Sequence, residues 1–183
     1  MKKTNGLLVA FISLLFMGNT GFDKSDLEKL QNISNSIQQM GADSFVSSHR
    51  SCMTGETWGL IFLAVKKGNK VALDIGIQVL PHLDGACSES MNLALASAIK
   101  SNASDFFAAI EKNKLESFRL QDICEALTPN DLENYDPSGD IQELNGREKA
   151  ILGVKTASSK TQRDACIHQI QKKVAFLKTK QKK

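Results

Sequence analysis

Four cysteines, Cys52, Cys87, Cys124 and Cys166, are the side chains of this chain whose number and spacing speak most directly to chemistry. No two of them form the C-x-x-C pair of a redox or zinc site, and the only three histidines, His49, His82 and His168, are scattered. A structural metal site is therefore not expected, and an even cysteine count in an exported chain reads as two disulfides. Ser97-Ala98-Ile99-Lys100 has the S-x-x-K form in which a lysine one helical turn away activates a serine nucleophile. Its companion motifs are missing, since Lys160-Thr161 continues with Gln162 where a glycine is required, and the pair reads as a chance match. Asp131, Glu133, Asp136, Asp140 and Glu143 make an acidic stretch that invites a calcium reading. The alternation of ligands and the loop glycine of an EF-hand are absent there, so the stretch reads as a solvated loop. No G-x-S-x-G, H-E-x-x-H or phosphate-cradling glycine loop occurs, and no cofactor is expected.

The elements that must position these residues begin with a leader. Lys2 and Lys3 precede an apolar run from Leu7 to Met17, and small or polar residues follow at Gly18, Asn19, Thr20 and Gly21. Such a run is about half the roughly 20 residues of a membrane-spanning helix, so residues 1–22 are expected to be a cleaved signal peptide. Residues 23–183 then form a single domain with a basic C-terminal tail, and the mature protein is expected to be periplasmic or secreted.

Ser25-Asp26-Leu27-Glu28 matches a capping box, after which Leu27, Leu30, Ile33 and Ile37 recur at helical spacing until Gly41. The run Trp58 to Val65 is apolar on nearly every side and is assigned to a buried helix. Val71, Ala72, Ile75, Val79 and Leu80 mark the next, ending at Pro81. A helix from the Gly85 to Ser88 region, rich in Ala and Leu, is expected to close at Asn102. Another, opening at Ala103 or Ser104, turns Phe106, Phe107 and Ile110 inward and ends near Asn113. Leu120, Ile123, Cys124 and Leu127 mark a further helix; the stretch from Thr128 to Gly139 holds two of the three prolines and is the clearest loop. Ile141, Leu144, Ala150, Ile151 and Val154 give a helix weakened at Gly146. The last helix, capped by Ser159 or Thr161, turns Cys166, Ile170, Val174 and Leu177 to one side.

The expected fold is all-α, about seven antiparallel helices stacked as hairpins in a HEAT-like array or a bundle. Four cysteines allow three connectivities, and the hairpin layout selects one. If Trp58 to Lys67 and Asn69 to Leu83 run antiparallel, the residues just before the first helix and just after the second meet, which pairs Cys52 with Cys87. By the same reasoning Cys124 approaches Cys166 at the start of the last helix. Each bridge closes a loop of about 35 to 45 residues, worth nearly 4 kcal/mol in the loop-entropy account.

About 160 residues beyond the leader suffice for one core that buries about 70% of the unfolded chain's surface. Setting aside Lys2 and Lys3 from the 23 basic side chains leaves 21 against 20 acidic ones, which argues against nucleic acid as a partner. The balance is uneven along the chain. Lys172, Lys173, Lys178, Lys180, Lys182 and Lys183 crowd the C-terminus, where contact with a membrane would be at most peripheral. His49, Arg50, Met53 and Trp58 surround Cys52 as one possible contact surface, although a lone tryptophan is more often core. Asp131, Glu133, Tyr135 and Asp136 are the preferred partner-binding residues, an aromatic among carboxylates suited to a basic partner or a catalytic cleft.

Leu93 to Asn102 leading to Phe106-Phe107, then Ile123-Cys124-Glu125 and Arg163-Asp164-Ala165-Cys166, resembles a family of small exported proteobacterial all-helical proteins. In plan the chain is also similar to periplasmic immunity proteins that protect against type VI secretion amidases. Exported address, stapled helices and missing catalytic motifs point to a non-enzymatic periplasmic binding protein, an inhibitor or immunity protein whose partner is a cell-wall hydrolase or toxin; the resemblance assigns no functional residue. An envelope structural or assembly factor with a helical scaffold is the alternative. The oligomeric state stays open.

Overall fold

A computed structural model describes residues 22–49, 51–52, 54–127, 137–155 and 159–181. Residues 1–21, Arg50, Met53, the stretch 128–136, which includes Asp131, Glu133, Tyr135 and Asp136, and residues 156–158 and 182–183 lie outside the described residues. Eight α-helices are found among them and no strand: α1 (Lys24–Met40), α2 (Ala42–Ser48), α3 (Glu56–Lys66), α4 (Lys70–Val79), α5 (Gly85–Asn113), α6 (Ser117–Glu125), α7 (Ser138–Leu152) and α8 (Lys160–Gln181). A single 3-10 turn, Leu80–His82, carries Pro81 after α4.

The starts of α1 and α4 are capped by side chains. Asp23, not Ser25, caps α1, accepting from the Asp26 amide at 2.8 Å. Both residues could accept from a first-turn amide; the carboxylate adds its charge to the positive end of the helix dipole, and the capping-box reading is corrected accordingly. Asn69 caps α4 through the Ala72 amide at 3.1 Å. The seven-residue α2 was not anticipated: it buries Phe45 but is too short to display a stripe.

Helix α5 is the spine of the molecule, packing on α3 and α4 on one side and on α6 and α7 on the other. Helices α1 and α2 complete the first group by packing on α4, and α8 completes the second by lying on both α6 and α7. The interior is continuous across the two groups, from Trp58, Ile61 and Leu73 through Met91, Leu95, Phe106 and Phe107 to Leu144, Ile151 and Ile170. Trp58 is 1% exposed and donates its indole N–H to the His49 carbonyl at 2.6 Å. It therefore belongs to the core, and the contact-surface reading of this residue gives way.

Asn102 is where α5 was expected to end, and its backbone does leave the helix there, at φ −160° and ψ 68°. The chain restarts at once because the Asn102 side chain accepts from the Asp105 amide at 3.2 Å, as an N-cap would. The Asn102 amide group also donates to the Gly68 carbonyl at 3.1 Å, holding the α3–α4 turn against the break. Gly68 is required in that turn: its φ is +73°, and a Cβ would lie 2.6 Å from the Asn102 Cβ. Further along, Asp74 of α4 accepts from Lys112 at 2.6 Å and Asn113 at 3.2 Å, so the second half of α5 is tied to α4 at both ends.

Both disulfides pair as the hairpin layout requires. Cys52, just before α3, is bonded to Cys87 in the first turn of α5, with Cα atoms 6.0 Å apart. Cys124, at the end of α6, is bonded to Cys166 in the second turn of α8, with Cα atoms 5.5 Å apart. Two such bonds and no free cysteine suit an oxidising, non-cytoplasmic environment. No helix among the described residues is long and apolar enough to cross a membrane.

Candidate functional site

Along α5, Ser90, Leu93, Ala94, Ser97, Lys100 and Ser101 recur at helical spacing and line one face. The residues between them, Met91, Leu95, Ala98 and Ile99, are buried in the core. The lining face is mostly small, so the flanking helices stand above it: α3 raises Phe62, Leu63 and Lys66 on one side, and α7 raises Asp140, Glu143 and Arg147 on the other. The result is an open groove of about 870 Å³. Leu63 forms its apolar lip and is 47% exposed, unusual for a leucine in a helix whose other face is core.

The opposite wall is charged. Lys100 of α5 reaches Glu143 Oε2 of α7 at 2.6 Å, and Arg147 Nε donates to Glu143 Oε1 at 3.3 Å. Arg147 is 3% exposed, and its Nη1 donates to the carbonyls of Cys124 at 3.3 Å and Ala126 at 2.7 Å, two acceptors left open at the end of α6. Burial pushes the Glu143 carboxyl up, but the Lys100 hydrogen bond and the charges of Arg147 and Lys100 together outweigh it and hold the group below the ordinary carboxylate range. Arg147 is shifted down by burial, with Glu143 opposing. The aliphatic stem of Lys100 runs over Gly146, its Cε 3.4 Å from where a Cβ would sit, an ordinary van der Waals distance.

Ser97 and Lys100, the S-x-x-K pair, both line the groove but have other partners. The Ser97 hydroxyl donates to the Leu93 carbonyl at 2.9 Å, and the Lys100 ammonium is engaged by Glu143. In this arrangement the lysine does not serve the serine as a base. Of the acidic stretch, Asp140 and Glu143 are in the groove wall. Asp131, Glu133, Tyr135 and Asp136 are outside the described residues; Leu127, beyond the end of α6, and Gly139 of α7 line the groove. His49 lies elsewhere, stacked on Phe45 with ring centroids 4.3 Å apart. Among the described residues no three His, Cys, Asp or Glu side chains converge in a way that could hold a metal ion.

Arg147 is the residue that reading by motif missed. Its one signal was local: Glu143 and Arg147 are four apart, the spacing of an intrahelical ion pair. Lys100 and Leu63 carried no such signal, because their partners are on other helices. Comparison of the chain with family models, with curated proteins and with solved structures finds no match.

Proposed function

We infer that this protein is a non-enzymatic periplasmic binding protein, an inhibitor or immunity protein that blocks a cell-wall-active enzyme. The observation that carries the reading is the groove: an exposed leucine lip faces a charged wall whose cations and carboxylate are already paired with one another. A partner can cover the Lys100, Glu143 and Arg147 cluster without leaving any of those three charges unpaired, the usual penalty of burying one. The plan of the chain, with its leader, stapled helices and resemblance to type VI amidase immunity proteins, supports the same reading.

In this account Asp131, Glu133, Tyr135 and Asp136 enter the partner's cleft and the Leu63 lip packs against the partner. The test is affinity capture from periplasmic extract with the oxidised protein as bait, followed by assay of the recovered protein for peptidoglycan cleavage. A single cell-wall hydrolase or toxin is expected, inhibited by the bait. Leu63→Asp should weaken that inhibition at least tenfold, the effect of losing an apolar contact of about 1.4 kcal/mol. Recovery of envelope components alone, or inhibition indifferent both to Leu63→Asp and to alanine at the four acidic-stretch residues, would sink the reading.

A further inference from the structure

The groove does not account for the last three turns of α8. There Cys166, Ile170, Val174 and Leu177 make the buried stripe, as the sequence spacing requires. Phe176 points away from that stripe and is 52% exposed. Lys172 and Lys173 lie one helical turn before it and Lys180 one turn after, so the ring is framed by three ammonium groups on one flank of the helix. Lys180 Nζ sits 5.4 Å from the ring centroid. No acidic residue occurs from Ala165 to Gln181, and none of the ion pairs among the described residues uses these lysines. Glu148 of α7, which reaches α8, binds Gln171 at 2.6 Å on a different flank.

Complementing the helix dipole explains lysines in the final turn, Lys178 and Lys180. It explains neither Lys172 and Lys173, two turns further in, nor an aromatic ring left in water between them. The residue types discriminate among partners. Protein interfaces enrich arginine and deplete lysine, whereas every cation in this segment is lysine, a point charge on a long apolar stem. Lysine stems of that kind reach outward from a buried aromatic to keep their charges in a headgroup layer.

We propose that the Lys172, Lys173, Phe176 and Lys180 flank of α8 is a docking surface for an anionic phospholipid membrane, with the ring entering the interface and the ammonium groups meeting lipid phosphates. It is independent of the groove and of the inhibitor reading, since none of these four residues lines the groove.

The test is co-sedimentation of the oxidised full chain with vesicles of phosphatidylcholine alone and of phosphatidylcholine with phosphatidylglycerol. Any lipid affinity of residues 1–22 is common to all variants and cancels in the comparison between them. Binding to the phosphatidylglycerol vesicles is expected to fall steeply with added salt. The triple substitution Lys172→Gln, Lys173→Gln and Lys180→Gln should lower that affinity about a hundredfold, roughly fivefold per charge. Phe176→Ser should lower it about tenfold. The triple arginine substitution at the same lysines, which keeps charge and fold, should retain it. Equal binding to both vesicle types, no binding to either, or a triple glutamine variant that binds as wild type with unchanged circular dichroism would overturn the proposal. Retention on immobilised polyglutamate without vesicle binding would do so too, reassigning the flank to an acidic protein.

Discussion

Arg147 is where a single side chain holds most together. It is buried, its guanidinium closes the end of α6 through the Cys124 and Ala126 carbonyls, and it shares Glu143 with Lys100. Arg147→Met keeps the apolar volume but strands two carbonyls and leaves Glu143 with Lys100 alone, and should cost about 3 kcal/mol in urea unfolding. Arg147→Lys should recover little of this, because one ammonium cannot reproduce the planar fork. Glu143→Gln tests the same cluster through pH. With its pKa depressed in the folded protein, Glu143 adds stability that is fully present above the ordinary carboxylate range and is lost as pH falls through the depressed value. The variant should therefore be less stable than wild type by about 1.5 kcal/mol at neutral pH, with the gap closing in acid. A gap that persisted below that range would point to packing rather than charge.

At the scale of elements, the turn between α3 and α4 and the break in α5 form one unit, since each supplies what the other needs. Asn102 leaves the helix, caps the second half of α5 and donates to Gly68, whose positive φ and missing side chain let the two backbones approach. Gly68→Ala should destabilise by about 2 kcal/mol from the left-handed backbone alone, with the clash at Asn102 added. Thermal unfolding would read it, and no loss would mean that the turn is not held as described. Much of this level was legible in advance. Apolar residues at helical spacing located α1 and α3 to α8 because each of those helices has a face against the core. Asn102 stood out because it interrupts a run of strong helix formers. The cap of α1 was misplaced because two acceptors compete within one turn, and α2 was missed because seven residues around Phe45 show no periodicity.

Across the whole molecule, α5 joins two helical groups, and each group carries one disulfide that ties a distant segment to it or to its neighbour. Cys52–Cys87 spans 35 residues and Cys124–Cys166 spans 42, so each should contribute about 4 kcal/mol through the unfolded chain. Removing one by paired Cys→Ser substitution should leave a folded but weakened domain. Removing both takes away an amount comparable with the whole stability of a typical domain and should abolish the cooperative transition at 37 °C. A doubly substituted chain that still melted sharply at the wild-type temperature would mean that the helical core alone suffices. The sequence by itself determined every helix but α2, the all-α class and even the cysteine pairing, since local periodicity and short antiparallel connections constrain which ends can meet. Only the tertiary structure decided that Trp58 is core, that Lys100 and Glu143 meet across 43 positions, and that Leu63 is left exposed as the lip of a groove. Those outcomes depend on how far apart three separately folded helices come to rest, and that spacing is set by the sizes of all the side chains packed between them rather than by any residue's near neighbours in the chain.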